Sequence, residues 1–125
     1  FDGHRGPAQT ATPIDLWDMR IDAGKSVRFA LPEGHTALAA VLEGTVEVNG
    51  EKIARAMDVV VFDETGGDIA FEANNDAKII IMSGEPIDEP VAQQGPFVMN
   101  TQEELRQAFI DYQSGGFGAI ARPDA

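Results

Sequence analysis

The chain has 125 residues, 21 acidic against 9 basic side chains for a formal net charge of −12, and 43% hydrophobic residues. That is one domain with enough apolar content for its own core, and the absence of cysteine excludes disulfides, thiolate nucleophiles, iron–sulfur clusters and cysteine-based zinc sites. The acidic balance argues against nucleic acid or an anionic membrane as direct ligands, because displacing their counterions takes clustered Lys and Arg. No apolar run is long enough to span a bilayer, and the first twenty residues lack the order of a signal peptide, so a cytoplasmic setting is expected. The chain begins with Phe1 rather than Met, and the expectation is a piece of something longer.

Residues 1–13 carry Gly3, Gly6 and Pro7 and a polar stretch without period, and read as an extended lead-in. From Ile14 the residues Ile14, Leu16, Trp17, Met19 and Ile21 approximate a half-buried strand, closed by Ala23-Gly24-Lys25. Val27, Phe29 and Leu31 alternate with Ser26, Arg28 and Ala30 up to Pro32-Glu33-Gly34. Thr36 to Leu42 is almost wholly apolar, the composition of a strand covered on both faces. Val46 and Val48 lead into Asn49-Gly50, the strongest short-range hairpin signal, since a type I′ turn needs positive φ at both central residues. Residues 58–63, 69–71 and 78–82 are further strand runs between turns rich in Gly, Asn and Asp.

Roughly seven or eight short strands at 8 to 12 residue spacing predict an all-β antiparallel sandwich or barrel over residues 14–100, its end an extended Gly-Pro-Phe-Val-Met-Asn segment. Helical period enters only near the end. Thr101 and Glu104 have the spacing of a capping box, Leu105, Ala108, Phe109 and Tyr112 follow one face, and Gly115-Gly116 stops the helix, predicted over 101–116 before a tail at 117–125.

Residues that carry chemistry are few. His4 lies in the lead-in and His35 in a turn, and both read as solvent-facing. Ser26, Ser83 and Ser114 sit in no nucleophile-elbow pattern. Carboxylate pairs such as Glu85 with Asp88 or Asp63 with Glu64 read as solvated acidic loops.

The run from Pro32-Glu33-Gly34-His35 through a buried strand into Leu42-Glu43-Gly44-Thr45-Val46 and on to Asn49-Gly50 resembles the cupin fold, a small antiparallel β-barrel or jelly roll. Ser83-Gly84-Glu85-Pro86, then Gly95-Pro96-Phe97-Val98-Met99-Asn100-Thr101 and a helix ending in Asp111-Tyr112-Gln113-Ser114-Gly115, closely resembles the C-terminal half of pirin proteins. Laid on the first cupin motif, Gly-x5-His-x-His-x4-Glu-x6-Gly, the sequence puts its glycines at Gly24 and Gly44 and Ala30, Pro32 and Ala37 at the three ligand positions. The second motif, started at Gly50, puts Val61 at the fourth. None has a donor atom, so no metal is expected in this chain, and apolar side chains, with Ala30, Ala37, Leu42 and Val61 as candidates, should fill the place.

The pirin resemblance implies a bicupin protein whose iron, or another divalent metal, sits in the N-terminal cupin. It implies quercetin 2,3-dioxygenase activity for the whole and, in eukaryotic members, a role as a nuclear transcription cofactor, which at −12 would act through proteins. This chain would then be the non-catalytic half. Its expected partner is the N-terminal cupin or a second copy of itself, met through Phe97, Val98, Met99, Leu105, Phe109 and Tyr112. The alternative is a stand-alone domain that acts as a homodimer and binds a small molecule or a protein.

Overall fold

Alternating side chains build two antiparallel sheets in this computed structural model, which describes Gly3 and residues 5–120. His4 and the end of the tail therefore lie outside the described residues. The strands are β1 (Ile14–Ile21), β2 (Ser26–Leu31), β3 (Thr36–Glu43), β4 (Thr45–Val48), β5 (Lys52–Arg55), β6 (Val59–Val61), β7 (Gly67–Ala73) and β8 (Ala77–Gly84). The first sheet has the order β1-β8-β3-β6 and the second β2-β7-β4-β5, so their strands adjacent in sequence mostly lie in opposite sheets and only β4 and β5 pair directly, the crossing pattern of a jelly roll.

Between the sheets lies one core. Ile21, Ala37, Ala39, Val41, Ile79 and Ile81 come from the first sheet, and Phe29, Leu31, Val46, Val48, Ile69 and Phe71 from the second. A line of rings joins the layers: Trp17 meets Phe29 edge-on at 5.2 Å between centroids, Phe29 lies 6.1 Å from Phe71, and Phe62 stands edge-on to Phe71 at 6.3 Å. Such offset and edge contacts suit the ring quadrupole and add to the burial itself.

Two local features differ from the sequence expectation, and a third meets it. In β1 only Trp17, Met19 and Ile21 turn inward, whereas Ile14 and Leu16 point out. The register of β3 against β8 shifts between Val41 and Glu43, which leaves Leu42 as the extra residue of a bulge and turns it outward, away from the interior plug to which the sequence assigned it. The hairpin at Asn49 and Gly50 has both residues at positive φ, 54° and 69°, and the Glu51 N–H donates to the Val48 carbonyl. That is the expected type I′ turn, with Glu51 added before the Val48–Lys52 pair.

Contacts divide the chain after Pro86. The segment from Ile87, expected to belong with the barrel as an extended stretch up to residue 100, instead holds a hairpin of β9 (Ala92–Gln94) and β10 (Phe97–Met99) grouped with the helix α1 (Gln102–Gln113). Both arms of the capping box form: Glu104 N–H donates to Thr101 Oγ1 at 3.2 Å, and Thr101 N–H to Glu104 Oε2 at 2.8 Å. Gly115, at φ 79°, takes the left-handed position beyond the C-cap Ser114.

Candidate functional site

A barrel mouth is where a fold of this kind can gather ligands, because inward side chains from several strands converge there. Here that mouth is made by the end of β2, the start of β3, the residues after β6 and the start of β7. In β2 the buried residues are Phe29 and Leu31, so Ala30 points out, and Pro32 is exposed in the following turn. In β6 Val61 is exposed, whereas Val60 and Phe62 pack against the core. Of the four ligand positions counted from the motif glycines, only Ala37 lies inside.

The physical reason is the period of two: a count that enters a strand one residue off phase puts the counted residue on the outer face, as for Ala30 in β2 and Val61 in β6. The apolar side chains that fill this end are Phe29, Leu31, Ala37, Phe62 and Ile69, and Ser83, opposite Ala37, is the one buried polar side chain among the described residues. Among the described residues no group of three His, Asp or Glu could hold a metal. The residues present do not fit an iron, copper or zinc ion, whichever count is used.

His35 departs from the solvent-facing reading. It is half-buried, and its Nδ1 shares a hydrogen bond with Ser83 Oγ at 3.2 Å. Ser83 is 4% exposed, on the core side of β8, and a hydroxyl that deep needs such a partner. The surrounding loops are pinned to each other: the Gly34 N–H donates to the Glu64 carbonyl at 2.8 Å, and Thr36 Oγ1 donates to Glu64 Oε1 at 3.1 Å. Between them is a cavity of about 160 Å³ lined by Leu31, His35, Ala37, Phe62, Asp63 and Asp68, among others. A larger, open concavity of about 530 Å³ lies on the outer side of the second sheet, where Arg28, Glu47, Asp68 and Glu72 make it polar.

The proposed contact residues fall in the second unit. Phe97 is the hub of an aromatic group there, 4.8 Å from Phe109, 6.0 Å from Tyr112 and 5.9 Å from Phe117. Phe97, Met99 and Phe109 are half-buried, and Val98 and Tyr112 exposed. Leu105 is only 1% exposed and is not available to a partner, because its place on the helix face buries it. The sequence carries no local signal for the buried contact of Ser83 with His35, whereas the run Thr36 to Leu42 and the doublet Leu16-Trp17, which breaks strict alternation, point to an apolar outer face on the first sheet.

The two sheets and the inward phase of their strands define a cupin-type barrel. The family known as the pirin C-terminal cupin domain matches residues 16–118, and the chain belongs to the pirin family. It is 44% identical over 117 residues to PA2418 of Pseudomonas aeruginosa, whose name carries quercetin 2,3-dioxygenase as a provisional assignment; the match covers 94% of this chain and 41% of that protein. It is 37% identical over 123 residues to Pirin-1 of Arabidopsis thaliana, covering 93% and 42%. A crystal structure of quercetin 2,3-dioxygenase from Acinetobacter baumannii superposes with a TM-score of 0.89 at 36% identity, over 97% of this chain and 42% of that one. The chain thus spans about two-fifths of the length of the curated relatives it matches.

Proposed function

We propose that this chain is the non-catalytic half of a pirin-like bicupin protein: a metal-free barrel that completes the fold and supplies one wall of the cleft between halves, while iron and any quercetin 2,3-dioxygenase chemistry belong to the N-terminal cupin. The observation that carries this reading is the make-up of the mouth, where Phe29, Leu31, Ala37 and Phe62 are hydrocarbon and the one inner polar pair, Ser83 with His35, is too small a donor set for a metal ion. The names of the relatives from Pseudomonas and Acinetobacter support the dioxygenase part. A cytoplasmic setting accords with the cysteine-free composition.

The test is metal analysis of the purified chain after incubation with ferrous iron, alongside quercetin turnover by the chain and by a pirin-length protein containing it. Substoichiometric, washable iron and turnover confined to the longer protein are expected. One tightly held iron per chain, or turnover by the chain alone, would overturn the proposal.

A second reading, small-ligand binding by this barrel itself, draws on the cavity of about 160 Å³ beside His35. That space is below the roughly 300–1,000 Å³ of drug-sized pockets, so the ligand would have only a few heavy atoms. Chemical-shift changes at His35 and Phe62 in a fragment titration would support it, and their absence would dismiss it.

A further inference from the structure

The outer face of the first sheet carries an apolar row across its whole width, and neither reading of the function uses it. Leu16 of β1 stands opposite Met82 of β8, Met82 opposite Leu38 of β3, and Leu38 opposite Val61 of β6. Directly opposed residues in antiparallel strands project to the same side, so these four make one unbroken row over all four strands. In the row beside it Ile80, Ala40 and Val59 continue the apolar surface over three strands, and the β1 position opposite Ile80 is the exposed carboxylate Asp18, part of the charged border. At the edges the side chains are bare: Leu16 is 68% exposed, Val59 60% and Val61 70%.

One end of the face is different. Arg20, Lys78 and Glu43 follow each other in register, with Lys78 Nζ 2.6 Å from Glu43 Oε1. A sheet with one solvated face alternates apolar inward and polar outward, as β2 and β7 do with Arg28, Asp68 and Glu72. An apolar centre with a charged border is instead the layout of a covered patch and its rim.

We infer that this face docks the half-protein that precedes the matched region in pirin-length chains; the inference rests on the reading of this chain as the C-terminal half. Two observations select that occupant. The relatives are more than twice as long as the part this chain covers, 41% of one and 42% of another, so a neighbour of similar size is tethered to the same polypeptide. Tethering supplies an effective concentration in the millimolar range, which lets a flat apolar contact hold without high intrinsic affinity. The patch is also four strands wide with its most exposed residues on the two edge strands β1 and β6, a shape covered by another sheet about 10 Å away rather than by one helix or peptide.

The chain has no cysteine, so single thiols can report on the face. Leu16→Cys and Val61→Cys lie on it, and Ala30→Cys lies on the outer side of the second sheet as the control. Each is labelled with a maleimide in this chain alone and in the chain joined behind a cysteine-free version of the preceding part of the Pseudomonas relative, or with that part added in trans where the joined protein does not fold. The face positions are expected to react about tenfold more slowly, or slower still, once the preceding part is present, as buried sites that open only transiently do, with Ala30→Cys unchanged. Equal labelling with and without that part would overturn the inference, and so would protection that disappears on dilution of the joined protein, which would mark a second copy as the occupant. Stoichiometric iron in this chain would sink the non-catalytic reading while leaving the labelling pattern as it stands.

Discussion

Gly44, in the turn between β3 and β4, shows how closely that turn approaches the β7–β8 turn at the same end of the barrel. It sits at φ 84°, and a Cβ added there would fall 2.3 Å from the Asp76 carbonyl oxygen and 2.9 Å from the Ala77 Cα. Gly34 is at nearly the same φ, 81°, with nothing within 4 Å of the added atom. The pair separates backbone strain from collision. Gly34→Ala should cost only the left-handed penalty, roughly 1 kcal/mol. Gly44→Ala adds the displacement of two backbone atoms in a packed strand, about 2 kcal/mol more, for about 3 in total. With an unfolding entropy near 2.1 cal/mol/K per residue over 125 residues, about 0.26 kcal/mol/K, these become losses in Tm of about 4 and about 11 °C. Thermal unfolding followed by circular dichroism reads both. Equal shifts for the two variants would refute the close approach of Gly44 to Asp76, and with it the bulged register at Leu42.

The phase of β2 gives another contrast: Ala30→Lys should change stability by no more than about 0.5 kcal/mol, whereas Leu31→Lys, which buries an unpaired ammonium, should prevent folding; urea titrations of both variants decide it. Asn49 extends the β4–β7 ladder with its side chain, since Oδ1 accepts from the Ala70 N–H at 2.8 Å; Asn49→Ala should cost about 1–2 kcal/mol and Asn49→Asp much less, measured by the same titration. At Gly50, φ 69°, a valine should cost about 1–2 kcal/mol, and an unchanged midpoint would show that the turn has been placed wrongly. Thr101→Ala removes the acceptor for the Glu104 N–H and should lower stability by about 1 kcal/mol, with faster amide exchange confined to the first turn of α1.

Much of the barrel could be read from residues because its signals are local. Asn49-Gly50 fixes a turn by its φ requirement, and Val27, Phe29 and Leu31 fix a face by alternation. The capping box at Thr101 formed as its spacing dictates. What spacing could not carry was phase across a turn. Counting from Gly24 passes through the bend before β2, and one residue of slack there moves Ala30 out and Phe29 in. Val61 fails in the same way after the loop from Gly50. The environment of His35 was equally hidden, since Ser83 is 48 residues away in sequence and meets it only through the pairing of β3 with β8.

The apolar runs read correctly as composition and are only half satisfied as structure. Thr36 to Leu42 has the make-up of a strand covered on both sides, yet in this chain Ala37, Ala39 and Val41 are buried whereas Leu38 and Ala40 are only half-buried and Leu42 is exposed. Val59 to Val61 and Ile79 to Met82 repeat the pattern on the neighbouring strands. The second sheet of the same barrel puts Arg28, Glu47, Asp68 and Glu72 on its outer side, so the difference belongs to one sheet and not to the fold. Covering Leu16, Val59 and Val61 alone would contribute several kcal/mol at roughly 1.5–3 kcal/mol per large apolar side chain, a sizeable share of the 5–15 kcal/mol that holds a domain together. The interior of the barrel offers Ser83 and His35 as its polar pair, whereas the first sheet leaves Leu16, Val59 and Val61 open to solvent, so the larger uncovered apolar area of this barrel is on that outer face.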